Sequence, residues 1–289
     1  MKTGMKKSLG FLVVMLLASC SSGPRIHSTA VVASEPAAIK LLNAAREAHG
    51  GAAIERVKDI SVRYEGKWGA IGPRFQPELV DKKFRRDSEE RLLLGQRFIA
   101  QKHNGPNGTK MVLRDGGLTR VSYNGKAASD DLTRQAAALV ADAYQMFLLG
   151  PFYFDRPGVV LQIAKQSSVD GVICDELLAV LKPGIGESNE DRVLLSIDRS
   201  TKQLRRLRMT LNGLASTQGA EVDVTFREFR NVGGILWPTD FEERIRVPFD
   251  LHAHSWKLRG IDLNRGLNRE DLSGDNWSER ASRPASALR

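Results

Sequence analysis

The sequence predicts an α+β fold dominated by β-structure, with one strongly curved antiparallel sheet whose concave face is covered by helices. About ten or more short runs alternate apolar and polar residues between turn signals, the pattern of an antiparallel meander rather than of βαβ units. Two segments after residue 34 carry apolar residues at helical spacing, one near the start and one between the two groups of strands. A sheet wrapped around those helices would bury both stripes at once.

The chain opens with Lys2, Lys6 and Lys7 and no acid, followed by an uncharged run in which Phe11 to Leu17 are all apolar. That run suits a signal-peptide core and falls short of the ~20 apolar residues a permanent membrane span needs. It ends in Leu17-Ala18-Ser19-Cys20, which resembles the lipobox of bacterial lipoproteins. The resemblance implies removal of residues 1–19, diacylglycerol on the Cys20 sulfur and acylation of the new amine, with membrane lipid as the partner of Cys20. Several acyl chains hold a protein on a membrane durably, where one chain does not. Ser21 stands where enterobacterial sorting rules place a retaining aspartate, so the resemblance favours the outer membrane, facing the periplasm. Residues 20–34 are small and polar, as expected of a flexible lipidated tether.

The elements follow in order. Ser34 is placed to cap a first helix, Pro36 lies in its first turn and Gly50-Gly51 follow its end. Ala38, Leu41, Leu42, Ala45 and Ala48 form its stripe. From Asp59 the period becomes two, with Ile60, Val62 and Tyr64 on one face; further strands are expected over 78–86, 96–103, 109–114 and 118–123. A second helix is capped by Ser129 or Asp130 and ended by Gly150-Pro151. Strands are then expected over 159–169, 171–181, 192–198, 203–211, 220–229, 235–247 and 252–264, with a hairpin turn at 198–202. Residues 35–264 thus read as a single domain, and 265–289 as a polar, flexible tail.

Several stretches carry a likeness to a known family: AREAHGG at 45–51, IERVKDISVRYEGKW at 54–68, LLSIDRSTKQLRRLRM at 194–209, VDVTFREFRNVGGILWPTDFEERI at 222–245 and IDLN at 261–264. With the layout, they resemble the Lol-type lipoprotein carrier and receptor fold, an unclosed half-barrel with helices over its concave face. The resemblance implies a hydrophobic cavity for the acyl chains of a lipid or lipoprotein, and a role in their transport or sorting. A half-barrel has more apolar concave surface than its side chains fill, and each buried methylene contributes ~0.8 kcal/mol. The expected lining is Leu139, Val140, Ala143, Met146 and Phe147 of the second helix, with Phe152, Tyr153 and Phe154 just after it; plain core packing is the alternative for this face. A structural or envelope-assembly lipoprotein with a self-filled core and a protein partner is the alternative function.

Catalytic signals are absent. No G-x-S-x-G elbow, phosphate-binding glycine loop or H-E-x-x-H occurs, so the chain reads as a non-enzyme without a cofactor. Asp250, His252 and His254 alternate along a strand and could meet a zinc ion, or else form the polar outer face of an edge strand. His49 is expected to hold the last carbonyls of the first helix, His103 to be a surface residue beside a turn, and Glu187, Glu190 and Asp191 to be solvated. Cys174 lies in an apolar run and, with Cys20 acylated, has no partner for a disulfide. The net charge of +9 includes three lysines of the leader, which leaves +6 after residue 19, scattered along the strands. Nothing in that distribution marks a nucleic-acid partner.

Overall fold

The computed structural model describes residue 26 and residues 33–70, 72–247, 250–274 and 276–288. Cys20, the expected signal peptide and most of the expected tether lie outside the described residues. Helix α1 (Pro36–Ala48) leads through a 3-10 turn (Gly51–Arg56) to β1 (Asp59–Trp68) and two short helical turns, α2 (Gly72–Phe75) and α3 (Pro77–Val80). Strands β2 (Asp87–Leu93), β3 (Phe98–Gly105), β4 (Gly108–Asp115), β5 (Leu118–Tyr123) and β6 (Lys126–Ala127) follow. Helix α4 (Asp131–Leu149) and a second 3-10 turn (Gly150–Phe154) separate them from β7 (Val159–Val169), β8 (Val172–Leu181), β9 (Asp191–Asp198) and β10 (Leu204–Thr210). The chain continues through β11 (Glu221–Val232), β12 (Ile235–Val247) and β13 (Leu251–Leu263), then α5 (Glu270–Ser273) and α6 (Glu279–Ser282).

The thirteen strands of the described residues join one antiparallel sheet in the order β6-β5-β4-β3-β2-β1-β13-β12-β11-β10-β9-β8-β7. Two meanders are sewn together where β1 pairs with β13, from Ile60 opposite Leu263 to Trp68 opposite His254. The sheet does not close, since β6 and β7 are its two edges. Helix α4 connects those edges, so it must cross the open face, and it packs there against β3, β4, β5 and β12. Its Ala136, Ala143, Met146 and Phe147 join the core with Ala38, Leu42 and Ala45 of α1 and the inward residues of the strands. Asp130 starts α4 by accepting the Thr133 N–H at 2.8 Å. Phe241 and Trp256, cross-strand partners, stack at 4.9 Å between ring centroids at the centre of this core.

The structure revises several expectations. Glu35 rather than Ser34 precedes the first turn of α1, because both side chains are taken by the edge strand: Ser34 Oγ accepts from Leu161 N at 3.1 Å and Glu35 Oε2 from Ile163 N at 2.9 Å. The strand expected over 78–86 is α3 and a turn, and the strand itself is β2 at Asp87–Leu93. Charge obscured it, since Glu90 and Arg91 of β2 are both buried and so mark no solvent face. The His49 ring is buried and leaves the helix carbonyls to the backbone N–H; its Nδ1 meets Leu236 O at 3.1 Å and its Nε2 accepts from Leu204 N at 3.0 Å, which ties β12 to β10. Burial lowers its pKa to about 4, consistent with a neutral ring. The chain can turn from α1 into this clamp because Gly50 has φ +119° and approaches Gly234 O, where a Cβ would lie 2.5 Å away. His103 is buried among strands rather than at the surface. Asp191 is buried too, accepting from Ile185 N, Thr210 Oγ1 and Asn212 N, while Glu187 is exposed. Cys174 is a buried free thiol among the described residues.

The tail expected to be flexible is packed instead. Leu267, Leu272, Trp277 and Ala281 form a second cluster with Leu93, Phe98 and Ala100. Asp59 gathers the backbone N–H groups of Arg265, Gly266 and Leu267, and fully buried Arg91 donates to the carbonyls of Ala281 and Arg283 beneath Trp277. Gly260 lets the tail approach, since a Cβ there would lie 2.7 Å from the Ala285 and Ser286 carbonyls. These apolar residues recur at neither helical nor strand spacing, so no periodicity reveals them.

Candidate functional site

The core side of α4 is not wholly filled. Leu139, Val140, Ala143, Tyr144 and Phe147 recur at one helical face and form one wall of a cavity of about 520 Å³. Met209 and Val222 of β10 and β11, Ile245 of β12 and Ala253 of β13 line it from the sheet, and Leu79 and Val80 of α3 from the side. The rim includes Ser216, Gln218 and Gly219, which are exposed. Ser216 Oγ donates to Gln76 Oε1 at 2.9 Å, and Gln76 Nε2 returns a hydrogen bond to Ser216 O at 2.9 Å, so the β10–β11 loop and the α2–α3 segment meet across the cavity.

Four of the eight residues expected to line a cavity thus face this one: Leu139, Val140, Ala143 and Phe147. Met146 lies on another face of α4 and, like Phe154, is buried in the core. Phe152 and Tyr153 line a separate cavity of about 700 Å³ beside Leu149, where Arg46, Lys58, Arg97 and Arg156 make the walls more polar. Arg156 lies 4.0 Å from the Tyr153 ring centroid, and burial raises the pKa of the Tyr153 hydroxyl to about 12.

The first cavity has one polar wall. Trp68, Arg85, Tyr144 and Glu243 meet there. The Arg85 guanidinium lies 5.0 Å from the Trp68 ring centroid and 4.7 Å from that of Tyr144, and its Nη1 donates to Leu79 O at 3.0 Å. Tyr144 Oη contacts His254 Nδ1 at 3.3 Å, and burial raises the hydroxyl's pKa. Burial raises the Glu243 carboxyl to about 7, against the opposing field of Arg85. Sequence reasoning missed Arg85 and Glu243. Arg85 sits in a charged run without period, but Glu243 carries a legible signal: it shares the inward alternation of Phe241 and Ile245.

Asp250, His252 and His254 do not converge. The pairing register slips between Glu243 and Arg244, which face His254 and His252, so Ala253 is an extra residue and the alternation breaks. His254 turns inward and stacks 3.8 Å from the Trp68 ring, whereas exposed His252 contacts Ser255 Oγ and Asp250 pairs with Arg244 and Arg246. Among the described residues no group of three His, Cys, Asp or Glu side chains could hold a metal ion.

No protein-family profile matches the sequence, and no curated protein matches it. Among solved structures, a LolA superfamily protein from Nitrosomonas europaea is similar at 14% identity, with a TM-score of 0.52 over 82% of this chain and 98% of that one. The chain has the LolA-type half-barrel fold. A DUF1329 family protein from Desulfovibrio piger is similar at 10% identity and TM-score 0.48, over 81% of this chain and 96% of its own. A putative outer membrane lipoprotein-sorting protein domain from Vibrio parahaemolyticus is similar at 12% identity and TM-score 0.41, over 81% and 97%. In the LolA-type frame, the cavity under α4 lies between the sheet and the helix that covers it.

Proposed function

We propose that this chain is a cell-envelope lipoprotein that takes the acyl chains of a lipid or lipoprotein into the cavity beneath α4 and acts in their transport or sorting. An acylated Cys20 would hold it on the periplasmic face of the outer membrane, with residues 20–34 as tether to a single domain over 35–264. The observation that carries the reading is the cavity of about 520 Å³ between α4 and the sheet, whose walls are mostly apolar, with polar side chains at the Arg85 wall and at the rim around Gln76 and Ser216. That volume falls in the range of ~300–1,000 Å³ usual for ligand sites. Ten buried methylenes would contribute roughly 8 kcal/mol before the costs of ordering the ligand. The LolA-type fold and the resemblance in the sequence support the same ligand class, and the reading is of a binder rather than an enzyme. Among the described residues no helix is long and apolar enough to cross a membrane; the anchor in this reading is the acylated cysteine.

Native mass spectrometry of the full chain carrying Cys20→Ala tests the reading. Gentle extraction should yield a protein with bound lipid, and Ala143→Trp, which places an indole in the cavity, should yield a folded protein without it. A ligand-free wild-type interior, or a tryptophan variant that keeps its lipid, would overturn the proposal.

A further inference from the structure

Arg85 is 8% exposed, and among the described residues its amino nitrogen Nη2 has no hydrogen-bond partner of good geometry, although the guanidinium interacts with the Tyr144 hydroxyl. Among the described residues no carboxylate forms an ion pair with it. Glu90, a buried neighbour, is occupied by Gln101 Nε2 at 2.9 Å and Ser88 Oγ at 3.4 Å. Among the described residues Glu243 accepts no hydrogen bond, and it feels Arg85 through its field. A guanidinium removed from water without a counter-charge in contact is costly, and its two aromatic neighbours offset only part of that cost. Arg85 nonetheless forms part of the wall of a cavity otherwise fit for hydrocarbon.

We propose that Arg85 anchors the headgroup of the ligand: a carboxylate or phosphate at the end of an acidic lipid, drawn inside against the guanidinium while its acyl chain occupies the apolar walls. This rests on the acyl-binding reading and narrows it to lipids with a small acidic head. The anion sits at the buried wall and the chain runs toward the exposed rim at Ser216, Gln218 and Gly219, so a bulky head is disfavoured. Glu243 does not repel such a ligand below about pH 7, where burial keeps its carboxyl protonated and able to donate a hydrogen bond.

The test uses the full chain with Cys20→Ala and brominated lipids, whose quenching of tryptophan fluorescence reports entry beside Trp68. Dibromostearate is compared with its methyl ester, and phosphatidic acid with brominated chains is compared with the matching diacylglycerol. At least one acid should bind roughly ten- to a hundredfold tighter than its neutral counterpart, the scale of a charge-assisted hydrogen bond. Preference in the stearate arm assigns a fatty-acid carboxylate, and in the phosphatidate arm a phospholipid phosphate. Arg85→Gln should abolish the preference, and its binding of the methyl ester reports whether the cavity still forms. Equal binding of acid and neutral lipid by the wild type, or a preference that survives Arg85→Gln, overturns the anchor. If Arg85→Gln loses the methyl ester as well, Arg85→Lys decides: a retained preference supports the anchor and a lost one overturns it. Failure of all four lipids to bind the wild type would instead refute the acyl-binding reading beneath it.

Discussion

Substituting His49→Ala removes a buried ring that holds β10 and β12 together, and the loss should depend on pH in a calculable way. The ring leaves behind the Leu204 N–H and the Leu236 carbonyl, which it now satisfies at 3.0 and 3.1 Å. Unmade buried hydrogen bonds cost ~1–3 kcal/mol each, so the variant should be about 3 kcal/mol less stable near pH 8. The pKa of His49 falls from 6.5 in the unfolded chain to about 4 in the fold. A depressed folded pKa gives stability that is present above pH 6.5 and lost as pH falls toward 4. Near pH 5 the unfolded imidazole is protonated and the folded one is not, which removes about 2 kcal/mol from the wild type alone. The gap between the proteins should therefore shrink to about 1 kcal/mol near pH 5. Urea unfolding of both at the two pH values measures it. The difference isolates His49 from Glu90 and Glu243, whose raised pKa values of about 7 act with the opposite sign in this window. It likewise isolates His49 from His103 and His254, whose lowered pKa values act with the same sign. A gap unchanged between the two conditions would refute the neutral, strand-bridging ring.

Other substitutions address other parts of the fold. Trp277→Ala should cost about 3–5 kcal/mol in chemical denaturation, because the indole seals the tail over Phe98 and Arg91; a loss under ~1 kcal/mol would mean the tail does not pack there. Glu243→Gln should stabilise the protein by up to ~3 kcal/mol near pH 8 and little below pH 4.5, since a carboxyl raised from 4.5 to about 7 loses its contribution as pH rises between those values. A gain independent of pH would contradict the raised carboxyl pKa. Asp130→Ala should lower stability by about 1 kcal/mol, measured as a fall in Tm, through loss of the Thr133 N–H bond at the start of α4.

The sheet was legible because most of its strands bury one face, which leaves a period of two, and because Asp198 closes its hairpin by accepting from Ser200 N and Thr201 N. Helix α4 was legible for the same kind of reason, and the face bearing Leu139, Val140, Ala143 and Phe147 is the one that lines the cavity. What escaped were features that violate simple patterning. β2 buries Glu90 and Arg91, the tail buries apolar residues without a repeat, and Ala253 breaks the alternation that would have put His252 and His254 together. The polar wall escaped because it is assembled across the fold, from Trp68 on β1, Arg85 before β2, Tyr144 on α4 and Glu243 on β12. No local window contains more than one of them.

The central claim, that an acyl chain lies beneath α4, is tested most directly by placing a photoreactive amino acid in the cavity wall. In cells producing the full chain with that residue at Val140, irradiation should attach lipid to the protein, read as a mass increase on the peptide spanning α4. The same residue at exposed Leu132, at the outer start of the helix, should gain none. Lipid adducts at Leu132 equal to those at Val140, or none at Val140, would contradict the account.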